Sequence, residues 1–261
     1  MLTDELSSVI SNSDIGGGYR FLLLDAPQLA AKLQPGQFIH VRVPGLEPSA
    51  LRRPFSVFDA KDGVVTVLFK VVGRGTKVLA QAGAGEKVSV LGPLGHGFPL
   101  SGVGAPLLVG GGFGVAPLHF LARRLGERKG ILFIGGRTEK DLLAIDRFEA
   151  LGWDVRPATE DGSMGYKGFV TGPLDETLEG FKRFNGKYEL FTCGPDGLLK
   201  AVSDRAVAAG MPGWISMDRH MVCAAGACYA CIQRTRLPDG SVYNARCCVN
   251  GPVFAAKDLV W

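Results

Sequence analysis

The chain has 261 residues, enough for two ordinary domains and an appendage, and its 46% apolar and 21% charged composition suits a globular protein. A net charge of +4 with no dense basic run argues against a nucleic-acid partner. The longest apolar runs are strand-sized, which argues against a membrane span, and the N-terminus MLTDELSSVI is neither basic nor apolar enough for a secretion signal, so a cytoplasmic protein is expected.

Residues 1–100 read as β-rich. Short alternating segments at 19–24, 38–43, 64–71 and 87–91 are separated by the turn dipeptides Pro35-Gly36, Pro44-Gly45 and Asp62-Gly63. Such spacing predicts a small antiparallel barrel. Within it, Arg53-Pro54-Phe55-Ser56 follows a predicted strand and a loop. A guanidinium can clamp a phosphate bidentately and a serine hydroxyl can bond a flavin ring nitrogen. Taken alone the tetrapeptide also reads as ordinary surface. Gly73-Arg74-Gly75-Thr76 offers backbone N–H groups and a hydroxyl, either a second phosphate cradle or a plain β-turn.

The flexible stretch SGVGA, residues 101–105, marks a boundary. Beyond it the apolar run PLLVGGG leads into a segment at 115–125 with helical spacing. A strand at 131–134, a helix at 141–150, a strand at 188–192 and a helix at 195–209 follow. Alternating strands and helices predict an α/β domain with a parallel sheet over 101–214. Its Gly-rich turn, GGGFGVAP at 110–117, sits between a buried strand and a helix. Gly110, Gly111, Gly112 and Gly114 would let the backbone approach a pyrophosphate, whose charge a helix N-terminus favours. The fingerprint is incomplete, since Pro117 stands where the last glycine belongs, and a plain tight turn is the alternative. Arg137, after the second strand, reads either as a contact for the adenosine half of a nucleotide or as a solvated cation.

Residues 215–261 are short of helical periodicity and rich in Gly and Cys. Five of the six cysteines lie within 223–248. Cys223, Cys228 and Cys231 stand as C-x4-C-x2-C, with Cys247 and Cys248 following, which is the ligand spacing of a plant-type 2Fe–2S cluster. Zinc would use two separated C-x2-C knuckles, and one is present. The small residues Ala224, Ala225, Gly226 and Ala227 would let amides approach the sulfurs. Tyr229 and Ile232 either shield the cluster or simply pack. The segment is expected to need its cluster to hold a fold. The scattered histidines His40, His96, His119 and His220 read as structural or surface residues.

Taken in order, RPFS, GRGT, LGPLGHGF (91–98), GGGFGVAP and TCGP (192–195) resemble the ferredoxin-reductase superfamily, whose members pair a flavin-binding barrel with a nicotinamide-binding domain. With CAAGACYAC and CVNGPVF added, nearly the whole chain resembles the electron-transfer subunits of class 1B dihydroorotate dehydrogenases. The resemblance implies a β plus α/β multidomain architecture: an antiparallel FAD-binding β-barrel (1–100), a parallel-sheet NAD(P) domain (101–214) and a small 2Fe–2S domain (215–261). It places FAD at Arg53, Pro54, Phe55, Ser56, Leu68, Phe69, Lys70, Gly75 and Thr76. It places the nicotinamide nucleotide at Gly110, Gly111, Gly112 and Gly114. Cys193, in TCGP, would lie near the nicotinamide or be a small buried thiol. The family pattern leaves two residues between its last ligand and GPVF, selecting Cys248 beside Cys223, Cys228 and Cys231. Cys247 would then face away, as neighbours in an extended segment do.

No catalytic side chain is required, because hydride transfer is the cofactors' own chemistry. The implied route runs between NAD(H), FAD and the cluster, to or from the FMN of a separate catalytic subunit that oxidises dihydroorotate to orotate in pyrimidine biosynthesis. The family's assembly is a heterotetramer, two of each subunit. The alternative within the same fold is the flavin and iron–sulfur subunit of an NADPH–ferredoxin oxidoreductase, a sulfide dehydrogenase or a hydrogenase.

Overall fold

The computed structural model describes residues 2–46, 51–102, 104–182 and 187–261. Residue 103, inside the boundary stretch SGVGA, lies outside them. The first half contains β1 (Thr3–Asp14), β2 (Tyr19–Asp25), α1 (Pro27–Ala30), β3 (Phe38–Arg42), β4 (Arg53–Lys61), β5 (Val64–Lys70), α2 (Arg74–Leu79) and β6 (Lys87–Leu94). Among the described residues these six strands close into an antiparallel barrel in the order β1-β2-β5-β4-β3-β6. The interior is built by alternation: Leu22 and Leu24, Ile39 and Val41, Val65 and Val67, Val88 and Val90 are all fully buried. Each such side chain contributes about 1.5–3 kcal/mol of transfer free energy.

Strand β1 has no counterpart in the sequence reading, and its pattern explains why. Leu6 and Ile10 face solvent while Glu5 and Ser7 are buried. The Glu5 carboxylate accepts the amides of Gln28 (3.2 Å) and Leu29 (2.9 Å), which lack helical acceptors in the first turn of α1. With Glu5 and Ser7 inward and Val9 beside them as the apolar member of that side, the strand carries no hydrophobic alternation to detect.

The second half continues with β7 (Ala105–Gly111), α3 (Val115–Arg124), β8 (Ile131–Gly136), α4 (Ile145–Ala150), β9 (Asp154–Thr159), β10 (Tyr166–Lys167), α5 (Thr171–Lys182), β11 (Tyr188–Cys193), α6 (Asp196–Ala208) and β12 (Gly213–Ser216). The chain ends with β13 (Ile232–Arg236), β14 (Val242–Arg246), α7 (Cys247–Asn250) and β15 (Val253–Ala255). The helix expected at 141–150 is divided: a 3-10 turn covers Glu139–Asp141, and Ala144, at φ 58°, precedes α4. Among the described residues the main sheet has the order β10-β9-β8-β7-β11-β12-β15, parallel except for β15, which runs antiparallel to β12. Strand β12 crosses the expected boundary at 214/215, and β15 returns the cluster segment to the nucleotide sheet. Only the hairpin β13–β14 stands apart.

The two large domains meet along α3 and β4. His119 stacks on Phe58 with ring centroids 4.1 Å apart, and its Nδ1–H donates to the Phe58 carbonyl (3.2 Å). Arg123 bonds Asp59 through Nε (2.6 Å) and the Ala60 carbonyl through Nη2 (2.8 Å). A second clamp holds the linker: Arg128 bonds the carbonyls of Leu100 (3.0 Å) and Gly104 (2.9 Å) and the buried carboxylate of Glu189 (2.9 Å). Trp214 Nε1–H donates to the other Glu189 oxygen (2.9 Å), so the buried charge is fully engaged. No helix among the described residues is long and apolar enough to cross a membrane.

Burial lowers the His119 pKa to about 4, against the opposing pull of Asp59. A base that titrates near 6.5 when unfolded and near 4 when folded gives full stability above pH 6.5 and loses it as pH falls toward 4. The chain should therefore lose up to about 1.4 kcal/mol per pH unit across that window from this residue. His119→Asn, which keeps a donor at the Nδ1 position, should flatten that part of the urea-midpoint profile. An unchanged profile would show that His119 does not titrate on unfolding.

Candidate functional site

Strands β7 and β11 are parallel neighbours from which the sheet grows in opposite directions, and ligands of such sheets bind at the carboxyl ends beside this reversal. Gly110 and Gly111 end β7, and Gly112, Phe113 and Gly114 form a 3-10 turn before α3. A Cβ on Gly114 would stand 2.4 Å from the Cys193 carbonyl oxygen, so only glycine lets the turn lie against the end of β11. Cys193 is buried, and desolvation pushes its thiol up to about 12, leaving it a small neutral group rather than a nucleophile. Beside the turn, Lys70 Nζ donates to the Tyr19 hydroxyl (3.0 Å), which donates to Asp141 (3.2 Å). Arg137 is largely exposed, with Nε 3.7 Å from Asp141.

On the barrel side, Arg53 opens β4 and its guanidinium lies over Gly75, where a Cβ would stand 2.8 Å from Nε. Gly75 and Thr76 are in the first turn of α2, whose amides have no helical acceptors. The Thr76 hydroxyl accepts the amides of Val72 (2.9 Å) and Gly73 (3.1 Å) and so fixes the turn. A cation over open amides suits a pyrophosphate. Leu68 and Phe69 bury their side chains in the cores and pair along β2, while the β4 ladder on their other edge ends at Val67; Lys70 is held by the Tyr19 hydroxyl.

Pro54, Phe55 and Ser56 form one wall of a small, open cleft. Cys193 and Ser216, at the ends of β11 and β12, form the second, and Asp218, Arg219 and Met221 the third. The structure thus unites RPFS and TCGP, motifs far apart in sequence. Ser216, Asp218 and Arg219 escaped the sequence reading. Their signal was position alone, directly ahead of the first cluster cysteine.

The cysteines fall into two pairs. The amides of Cys228, Ala225 and Ala227 turn toward the Cys223 sulfur and hold its thiol down to about 6; the Cys228 amide is 3.4 Å away, and the Cys228 thiol also bonds it. The Cys248 thiol bonds Cys231, and the Cys248 amide donates to the Cys231 sulfur (3.5 Å). Among the described residues no three His, Cys, Asp or Glu side chains gather around a single metal position. Two cysteine pairs are instead what two irons require. Gly226, at φ 76°, lets the loop fold back: a Cβ there would stand 2.7 Å from Val249 Cγ2. Tyr229 is 59% exposed, with Arg246 over its ring, so it caps the loop from outside.

Cys247 and Cys248 open the helical turn α7, and this corrects the extended segment expected there. Consecutive helical residues diverge by about 100°, so the separation survives on a different geometry. Burial pushes Cys247 up to about 12, and its amide donates to the Cys231 carbonyl (2.9 Å). Cys248 also receives the Gly226 amide from within the loop. Of the histidines, His40 is buried and its Nε2–H donates to the Met221 carbonyl (3.2 Å), linking β3 to the cluster loop.

Residues 218–260 match the family model for the iron–sulfur cluster binding domain of dihydroorotate dehydrogenase B. The electron transfer subunit of dihydroorotate dehydrogenase B (NAD(+)) from Desulforamulus reducens is 36% identical over 92% of each chain. The corresponding subunit from Lysinibacillus sphaericus is 39% identical over 97% of each. Among solved structures, an NADH-dependent reduced ferredoxin-NADP oxidoreductase studied for flavin-based electron bifurcation superposes with a TM-score of 0.84 at 29% identity, covering 98% of this chain and 90% of its own.

With Cys223, Cys228, Cys231 and Cys248 as ligands, Cys248→Ser should abolish or severely perturb the visible absorption of the iron-loaded chain. Cys247→Ser should keep that spectrum and lose only packing. The reverse result would exchange the two assignments.

Proposed function

The chain belongs to the family of dihydroorotate dehydrogenase B electron-transfer subunits, and from this we propose that it passes electrons between NAD(H), FAD and a 2Fe–2S cluster, to or from the FMN of a separate dihydroorotate dehydrogenase subunit. The observation that carries this reading is the three-walled cleft. Its walls come from the flavin motif, the end of the dinucleotide sheet and the segment entering the cluster loop. When bound, FAD splits the hydride's electron pair and the cluster carries single electrons.

The chain's own task is to hold and orient. Arg53 and the Gly75-Thr76 turn hold the flavin pyrophosphate, while Pro54, Phe55 and Ser56 border the ring. The backbone at Leu68 and Phe69 adds a further edge. Gly110, Gly111, Gly112 and Gly114 receive the dinucleotide, with Lys70 alongside. Cys193 leaves room for the nicotinamide. Cys223 and Cys228, with Cys231 and Cys248, would hold the 2Fe–2S cluster. Residues 1–100, 101–214 and 215–261 are the corresponding functional units, although β12 and β15 bind the last two into one sheet. The exposure of Cys228 and Tyr229 supports a cluster near the surface where a catalytic subunit would dock, in an assembly of two plus two. Unpaired cysteines, including every one in the cluster loop, suit the reducing cytoplasm.

Loaded with FAD and iron–sulfur cluster, the chain should reduce an artificial one-electron acceptor with NADH and co-purify with an FMN-containing dihydroorotate dehydrogenase subunit. Arg53→Ala should weaken FAD binding roughly tenfold to a hundredfold, the worth of a charged phosphate contact. A chain with neither bound FAD nor NADH-driven reduction would sink the electron-transfer reading.

A further inference from the structure

Reduced flavin carries a proton on N5 that must leave when its electrons depart singly. The N5–H bond breaks, two electrons go to the cluster and its partner, and one proton needs an acceptor. The cleft walls offer few candidates. The hydroxyls of Ser56 and Ser216 are too weakly basic, the Cys193 thiol stays protonated and the guanidinium of Arg219 is a donor only. The remaining titratable side chain among those walls is the carboxylate of Asp218.

We propose that Asp218 is the proton acceptor of this cleft, taking the flavin N5 proton as electrons leave for the cluster and returning it when they flow backward. The inference rests on the cleft being the flavin site. Asp218 lies in the segment between β12 and the cluster loop and lines the cleft with Ser56 and Cys193. Among the described residues no cation pairs with it: Arg219 is turned to Asp196 and to Gln233 Oε1 (2.9 Å). Its carboxylate is therefore free to gain and lose a proton.

The groups that face Asp218 are Cys193 from β11, Asp196 from the start of α6, and Arg219 and His220 on its own segment. Enclosure by protein raises its carboxyl above the ordinary carboxylate range, with Asp196 adding to the rise and His220 and Arg219 opposing it. The side chain still reaches solvent through the cleft mouth, which supplies an exit for the proton. A carboxyl raised from its ordinary value and open to water is suited to a relay.

The test uses the complex with its catalytic subunit, loaded with FAD and cluster. Anaerobic stopped-flow would follow flavin bleaching by NADH and reoxidation by orotate, and spectroelectrochemistry would give the flavin potential against pH. Asp218→Asn should slow reoxidation about a hundredfold, far more than it slows bleaching. It should also erase the acid limb that appears as the wild-type carboxylate is protonated, and the matching inflection in the potential. Asp218→Glu should restore both with a shifted limb, and it carries the test should the asparagine variant fold poorly. Full FAD with wild-type reoxidation and an unaltered pH profile in Asp218→Asn would overturn the proposal and leave the flavin site standing. A wild-type chain without FAD would instead remove the flavin site, and the proposal with it.

Discussion

Helix α3 is buried along its whole first two turns, from Val115 to Ala122, so it has no solvent face and serves two cores at once. Phe120 enters the barrel core, while Val115, Leu118 and Leu121 enter the core of the parallel sheet. The helix begins at the dinucleotide turn, and the strand it packs against, β4, begins at Arg53. One packing contact therefore sets the angle and distance between the two nucleotide-binding ends. Swinging the domains apart would expose Phe120, unstack His119 from Phe58 and strand Asp59 without Arg123. The cofactors' relation is built into a core rather than left to a hinge.

The third site is tied in by similar means. Phe38 and Leu94 from the barrel rim share a core with Leu199 and Ile215 from the nucleotide domain and with Met221, Ala224 and Cys231 from the cluster loop. A segment this short cannot build a core alone, and here it borrows from both neighbours. The His40–Met221 bond adds a directional constraint at the point where β3 meets the cleft. Small residues around the cysteines then let amides reach sulfur, which tunes a cluster as well as holding it.

Much of this is legible in the residues themselves. Strand alternation such as Leu22 and Leu24, or Val65 and Val67, disclosed the barrel because its inward side is apolar. The run at 115–125 disclosed α3 by its period, and the C-x4-C-x2-C spacing is a local signal that folding need not explain. What stayed hidden depends on contacts distant in sequence. Strand β1 hid behind an inverted pattern whose buried Glu5 makes sense only once α1 sits beside it. Asp218 and Ser216 carry no motif, and they acquire meaning from the wall opposite, which Ser56 supplies from far earlier in the chain. The cysteine pair at 247–248 reads as extended backbone because one helical turn, α7, is too short to produce a period.

Strands β12 and β15 are hydrogen-bonded neighbours, and residues 217–252 leave the sheet at one and rejoin it at the other. Adjacent strands lie about 4.8 Å apart, so the excursion departs and returns almost at a single point. An excursion with coincident ends is the geometry of an inserted cassette, which a host domain accepts without rearranging its own strands. The one-electron outlet is thus entered and left by the chain at one point, while the core it shares with Phe38, Leu94, Leu199 and Ile215 fixes how it lies on the hydride-handling body. A lineage could lengthen or retune its exposed loop while the barrel, the dinucleotide turn and their shared helix stay as they are.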